Sequence, residues 1–166
     1  MMFDRISKDE WFLKLALDCA HRSTCIQRKY GAIIVDKDCY VVSTGYNGAP
    51  SGVIDCLKIG NCWRKISHIP SGQNYEKCMS VHAEMNALLQ AGKSAKGGTM
   101  YLAGYDVELK DLAVNQLPCS LCTKLLKNAK IKEVIMMDGS LKDIPYNFKI
   151  MTPLQIWKIR EKEILS

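Results

Sequence analysis

Val81-His82-Ala83-Glu84-Met85-Asn86-Ala87-Leu88 is the segment from which the fold and the chemistry of this chain follow, together with Pro118-Cys119-Ser120-Leu121-Cys122 further along. His82, Cys119 and Cys122 supply one imidazole and two thiols, which are ligand types that zinc takes in a tetrahedron. Three protein ligands leave a fourth position for water, as in a catalytic zinc site. The carboxylate of Glu84, two residues after the histidine, then stays free for proton transfer.

The two motifs in one chain are typical of zinc-dependent nucleobase deaminases. Two thiolates cancel the charge of zinc, so a water activated by the metal benefits from a base beside it. Glu84 is predicted to take a proton from the water that attacks C4 of a cytosine ring, and to return it to ring N3 and then to the leaving amine. A C-x-x-C alone would also suit a structural zinc knuckle or a redox pair.

Both motifs are predicted to lie at helix starts. Apolar spacing predicts a helix over Val81 to Ala91 that Gly92 ends, and a second helix whose first turn contains Pro118. Cys119 and Cys122 would then lie near the positive end of a helix, which favours their thiolate forms.

The remaining pattern predicts alternating helices and strands. Ser7 and Glu10 form a capping box that starts a helix through about His21, and Thr152 with Pro153 starts the last helix. This order predicts an α/β fold, a three-layer α/β/α sandwich with a central mixed sheet. The predicted strands are residues 31–35, 39–44, 100–103 and 133–137, and the last helix covers about 152–164.

Length and composition favour a single domain over residues 1–166, with its core at about 10–137. No segment has the roughly eighteen apolar residues of a membrane span, and the first residues do not form a secretory signal, so we expect a cytoplasmic protein with reduced cysteines. The net charge of +6 suits an anionic small-molecule substrate. It is too dispersed to indicate nucleic acid binding.

Five segments together resemble the deoxycytidylate (dCMP) deaminase family, within the cytidine deaminase-like superfamily. The resemblance implies hydrolysis of dCMP to dUMP and ammonia, the cytidine deaminase-like fold, and a homo-oligomer, often a hexamer. It implies zinc ligation by His82, Cys119 and Cys122, proton transfer by Glu84 and substrate contact by Asn47. Control by dCTP and dTTP occurs in parts of the family. The segments are residues 22–25, 31–35, 45–52, 81–88 and 118–122.

The substrate contacts stay open to a plainer interpretation. Asn47 lies in a turn rich in glycine and asparagine, where it would bind a sugar hydroxyl or base edge or serve only as a turn residue. The phosphate is expected near Ser23, Thr24 and Arg28, whose hydroxyls and guanidinium suit it. Arg28 would otherwise be ordinary surface charge.

A second, structural zinc is predicted at Cys25, Cys56, Cys62 and Cys78, three of which lie in the long loop of residues 46–80. Four thiolates would anchor that loop. The alternative is that these cysteines are ordinary buried residues. His68 would be able to replace one of them.

The connection between Tyr101 and Pro118 is longer than the family usually has. We expect the insert at about 104–116 to form an extra hairpin or flap beside the pocket, where it would change substrate choice or close over the site. Alternative functions are a tRNA adenosine deaminase, a free cytidine deaminase, or a zinc-stapled binding module without catalysis.

Overall fold

The computed structural model describes residues 5–113 and 116–166. Groups of strands and groups of helices follow one another along these residues. The helices are α1 Lys8–Ala20, α2 Cys56–Ile59, α3 Trp63–Ile66, α4 Ala83–Ala91, α5 Ser120–Asn128 and α6 Pro153–Leu165. The strands are β1 Arg28–Val35, β2 Val41–Tyr46, β3 Thr99–Asp106, β4 Asp111–Leu112, β5 Glu133–Asp138 and β6 Asn147–Met151.

The strands form one mixed sheet in the order β2-β1-β3-β5-β6, and β4 pairs with β3. β3 and β5 are parallel, whereas the other pairs are antiparallel. Because successive side chains of a strand face opposite sides, β1 buries Ile33 and Val35 against α1, while Ala32 and Ile34 pack in the cluster that includes residues of α4, α5 and α6. Helices therefore cover both faces of the sheet, and the predicted three-layer α/β/α fold is confirmed.

The predicted elements differ from the observed ones mainly at their ends. The helix predicted from Val81 begins at Ala83, because Val81 pairs with Gly48 through N–H···O bonds of 2.8 and 3.1 Å. Pro118 was placed in a first helical turn, and this is wrong. Cys119 is the N-cap residue of α5, with extended backbone, so the proline precedes the cap.

Of the two hydrogen bonds in the capping box predicted for α1, the structure contains the one accepted by the Ser7 side chain. Ser7 Oγ accepts a hydrogen bond from the Glu10 N–H at 3.1 Å. The Glu10 carboxylate pairs with Lys14, one turn further along, at 3.1 Å. Thr152 and Gln155, in contrast, form a complete capping box at the start of α6.

The long loop contains short helices, α2 and α3, and a 3-10 turn at Tyr75–Lys77. β6 has no predicted counterpart. Among the described residues, no helix has the length and apolar character needed to cross a bilayer.

The predicted extra hairpin is confirmed for the described part of the insert. β3 extends to Asp106, and after a turn β4 pairs back onto Tyr105 and Asp106. Arg28 Nε donates to Asp106 Oδ2 at 3.2 Å and ties β1 to this turn. Residues 114 and 115 of the insert lie outside the described residues.

Candidate metal and active site

Helix α4 lies unusually close to strand β2, and this places the His-Ala-Glu motif. A Cβ at Gly45 would collide with the backbone of Ala83 and Ala87, so a side chain there would push the helix away. Ser43 Oγ donates to Ala87 O at 2.8 Å, and Asn86 Nδ2 donates to Tyr46 O at 2.8 Å. The helix start is therefore fixed against the sheet by backbone contact and by side-chain bonds.

The second motif lies at the start of α5. Cys119 has extended backbone, and its sulfur accepts the Cys122 N–H at 3.4 Å, as a capping side chain does. Thr123 Oγ1 donates to Cys119 O at 2.8 Å. The spacing of the motif puts both thiols at the helix N-terminus, where free N–H groups favour negative charge.

His82, Cys119 and Cys122 come together as the sequence predicts. Their ligand atoms all lie within 4.8 Å of one another. His82 Nδ1 lies 3.5 Å from Cys119 Sγ and 3.4 Å from Cys122 Sγ. Tetrahedral zinc with usual Zn–S and Zn–N bonds separates such atoms by about 3.6 Å, so the three residues fit this metal.

The thiols of Cys119 and Cys122 have pKa values shifted in opposite directions. The pKa of Cys119 is lowered to about 4, chiefly because the Cys122 thiol hydrogen-bonds its sulfur, while burial opposes this and His82 adds to it. The pKa of Cys122 is raised well above 9 by the same hydrogen bond and by burial. Cys119 thus holds the charge and Cys122 the proton, which a metal would displace.

The same contacts raise the pKa of His82. Burial alone would lower it, but the hydrogen bond with Cys119 and the charge of Glu84 outweigh burial. The edge of the His82 ring also meets Tyr75, with ring centroids 5.1 Å apart. The histidine is therefore packed and oriented on more than one side.

Glu84 lies in the first turn of α4 with only 5% of its surface exposed. Burial raises the pKa of its carboxyl, and the neighbouring His82 partly offsets this. The Cys122 thiol, as a hydrogen-bond donor, also opposes this rise in pKa. A carboxyl with a raised pKa beside a metal site is suited to both accepting and donating a proton.

The motif opens into a cavity of about 410 Å³. This volume falls in the range of small-molecule sites. Its wall combines the ligand side chains with cationic groups, since Arg28, Arg64 and Lys65 line it together with His82 and Glu84. The cavity can therefore hold a molecule that bears negative charge.

Of the predicted substrate residues, Asn47 and Arg28 line the cavity, whereas Ser23 and Thr24 are not among its lining residues. Ser23 is buried, and its hydroxyl accepts the Cys25 N–H. Thr24 Oγ1 accepts the Ala49 N–H at 3.3 Å. Both hydroxyls therefore shape the loops behind the cavity.

Asn47 joins two strands as well as facing the cavity. Its Oδ1 accepts the Tyr30 N–H at 2.7 Å, and its Nδ2 donates to Arg28 O at 2.9 Å. One N–H of the amide remains for a ligand.

The four cysteines of the predicted second site are neighbours, but they do not meet at ligand distance. The pKa of Cys56 is raised to about 11 by burial and then by the nearby Cys25, Cys62 and Cys78. Within the described residues, the His82 group alone brings three such ligand atoms within 4.8 Å. Cys25, Cys62 and Cys78 instead lie along the cavity wall.

Several residues of the site were not predicted from the sequence. Arg64 stacks over the Tyr75 ring at 4.5 Å and donates to Gln73 O and Pro70 O, which closes the loop around the cavity. Gln116 on the cavity wall and Arg160, which binds the carbonyls of residues 117 and 118, also belong to this group. None of these belongs to a motif, so composition and spacing contain no signal for them.

Comparison with known proteins identifies relatives. A profile of the family described as "Cytidine and deoxycytidylate deaminase zinc-binding region" matches residues 6–138. Deoxycytidylate deaminase of Mycobacterium phage D29 is 37% identical, over 76% of this chain and 91% of the phage protein. That of Saccharomyces cerevisiae is 34% identical, over 89% of this chain but only 42% of the yeast protein. The chain thus spans less than half of the yeast relative.

A solved structure is also similar. The dCMP deaminase of cyanophage S-TIM5, in apo form, superposes with a TM-score of 0.55 at 26% identity, covering 79% of this chain and 82% of that one. The same cyanophage enzyme in complex with dCMP and dUMP gives a TM-score of 0.54 at 24% identity.

Proposed function

The chain belongs to the cytidine and deoxycytidylate deaminase family, and from this premise we propose that it hydrolyses dCMP to dUMP and ammonia. The observation that supports this best is the group of His82, Cys119 and Cys122, with the buried Glu84 beside it and a cavity in front. The unit proposed to do this is a single zinc-dependent domain.

Each residue of the group has a distinct part in the proposed reaction. His82, through Nδ1, and the sulfurs of Cys119 and Cys122 would hold zinc, which when bound supplies Lewis-acid activation of a water. Glu84 takes the proton of the water whose oxygen forms the new bond to C4. It gives this proton to ring N3, then takes the remaining proton of the new C4 hydroxyl and passes it to the amine nitrogen, so that the C4=O bond forms as the C4–N bond breaks and ammonia leaves.

The charge of the cavity supports a nucleotide as substrate. The Arg28 Nε is engaged by Asp106, and the terminal nitrogens of Arg64 are held by loop carbonyls, so these guanidinium groups are already oriented. Lys65 adds a further cation to the same wall. A phosphate would meet these groups, whereas Ser23 and Thr24 do not line the cavity, although their hydroxyls, which act as acceptors for backbone N–H groups, keep their own O–H donors.

The test is a deamination assay of the zinc-loaded protein against dCMP, CMP, dCTP, deoxycytidine and a tRNA with a wobble adenosine. We expect selective turnover of dCMP. Glu84→Gln should keep its zinc and lose at least about a hundredfold in turnover, because general acid–base catalysis contributes that much. Glu108→Gln is the matched control, since Glu108 is an exposed carboxylate on the same cavity. Turnover of the tRNA or of free deoxycytidine alone would contradict the proposal.

We also propose a second, structural zinc at Cys25, Cys56, Cys62 and Cys78. Their proximity supports it, although the thiols would have to move together to reach ligand distance. Metal analysis should give two zinc ions per chain, and Cys56→Ser should reduce this to one. The exposed Cys39→Ser is the control. A wild-type content of one zinc would contradict the second site.

We further propose that the chain forms a homo-oligomer. Exposed apolar side chains cluster along residues 53–66, where Ile54, Leu57, Trp63 and Ile66 are each more than half exposed. Apolar surface of this kind favours association. Light scattering should give a mass above that of one chain. Control by dCTP or dTTP and a cytoplasmic location stay predictions.

A further inference from the structure

Gln116 is a buried amide without a partner. It has 6% of its surface exposed and lines the cavity. Neither its Oε1 nor its Nε2 has a hydrogen-bond partner, and among the described residues no other buried side-chain nitrogen or oxygen is in this state. Buried polar groups are almost always paired, because an unpaired one costs folding free energy. A ligand that pairs with the amide would recover that cost.

The fold holds Gln116 next to the catalytic group. It stands three residues before Cys119, at the end of the insert. Arg160 of α6 fixes the backbone that follows it, with Nε donating to Pro118 O at 2.9 Å and Nη2 donating to Leu117 O at 2.8 Å. Gln116 therefore belongs to a fixed backbone segment that leads into Cys119, and it lines the same cavity as His82, Glu84 and Cys119.

We infer that Gln116 is a specificity-determining residue whose amide hydrogen-bonds the nucleobase, an inference that rests on the proposed function. An amide offers a donor and an acceptor side by side. A phosphate at neutral pH is predominantly an acceptor and would leave Oε1 unpaired, whereas cytosine offers an N–H of its amino group as a donor and its O2 carbonyl as an acceptor apart from N3. A sugar hydroxyl could also match both atoms, but the base is the part that must reach the metal ligands, and Gln116 lies three residues before Cys119 on the same cavity.

The polar groups of the cavity that already have an assigned role leave the base to Gln116. Glu84 is committed to N3 and the leaving amine. Asn47, the residue expected to contact the substrate, uses its Oδ1 on Tyr30 and one N–H on Arg28, so it has a single N–H left and would contact the ligand as a donor only. Arg64 and Lys65 are cations that suit the phosphate.

Gln116→Met tests the inference, because methionine keeps the length of the side chain and removes both polar atoms. We expect kcat/KM to fall ten- to a hundredfold, by the same factor for dCMP and for deoxycytidine. The melting temperature of the free protein should be unchanged or higher, since an unpaired buried group has been removed. Gln73→Met, the same change on an exposed loop, is the control and should alter neither quantity.

Other outcomes separate this inference from the proposed function. Unchanged kcat/KM, a loss confined to dCMP, or a lower melting temperature in Gln116→Met would overturn the base contact. If the wild type deaminates none of the substrates, the proposed function fails. The base contact is then tested separately, by the change in melting temperature that cytidine or inorganic phosphate causes. A cytidine shift in the wild type that Gln116→Met lacks supports the contact. Equal shifts, or a shift with phosphate alone, overturn it.

Discussion

Replacing Arg160 by methionine should destabilise the protein and impair its site, although this residue lies on the last helix. The Arg160 side chain has 18% of its surface exposed. It donates to Pro118 O and Leu117 O, and its Nη1 pairs with Glu163 at 2.8 Å. Methionine preserves the stem and leaves both carbonyls without these donors.

The expected loss follows from those contacts. A hydrogen bond to a charged group contributes about 1.5–3 kcal/mol. Water can partly replace the guanidinium, so we take the lower value for each of the two carbonyls, which gives about 3 kcal/mol. The pair with Glu163 adds little, because Glu163 is 56% exposed. For a chain of this size about 3 kcal/mol corresponds to a fall in melting temperature of roughly 6–12 °C.

Thermal unfolding of the zinc-loaded protein, followed by circular dichroism, measures this change. Glu163→Gln removes only the exposed ion pair and should melt within about 2 °C of the wild type. Turnover of Arg160→Met at 20 °C should fall about tenfold, because a small displacement of Cys119 misplaces the reacting groups. If Arg160→Met melts like Glu163→Gln, the two carbonyl contacts contribute nothing and the reasoning is refuted.

Three further predictions concern the parts that position and fill the site. Gly45→Ala should lower both the melting temperature and the zinc affinity, because the new Cβ would push α4, with His82 at its N-cap, away from β2. Thermal unfolding measures the first change, and titration with a zinc indicator measures the second. Asn47→Leu should cost about 3 kcal/mol in urea unfolding, since the Tyr30 N–H and the Arg28 carbonyl lose their partner. Treatment with a chelator should stop turnover, and added zinc should restore it; full activity of a protein shown by metal analysis to be free of zinc would contradict the metal site.

The helices and strands that could be predicted are those whose local sequence already favours the structure that tertiary packing requires. α1 and α6 lie within one residue of their predicted bounds, because Ser7 and Thr152 are strong caps before apolar stripes. The sequence pattern does not indicate β6, whose residues are mostly exposed and become a strand only by pairing with β5. Pro118 was misplaced because the sulfur of Cys119 acts as the cap, which propensity rules for proline do not include.

Within the site, too, some residues can be predicted from the sequence and others cannot. Metal ligands must occur at spacings that a helix end allows, so His82, Cys119 and Cys122 are recognisable without coordinates. Ser23 and Thr24 were chosen by residue type, yet the structure engages both hydroxyls with loop backbone. Residue type says which bonds a side chain can make, whereas only the fold says which of them are already made.

The segment Gln116 to Pro118 shows why the supporting residues escape sequence analysis. Its backbone carbonyls are held by Arg160, more than forty residues further along the chain, and no spacing rule connects the two. The insert that ends at Gln116 turns back as a hairpin on β3, whose parallel partner β5 leads on toward α6. Contacts of such sequence separation depend on the order of strands in the sheet. Such a residue can be identified only from the fold. For Gln116 the identifying feature is a buried amide without a hydrogen-bond partner, which indicates a ligand.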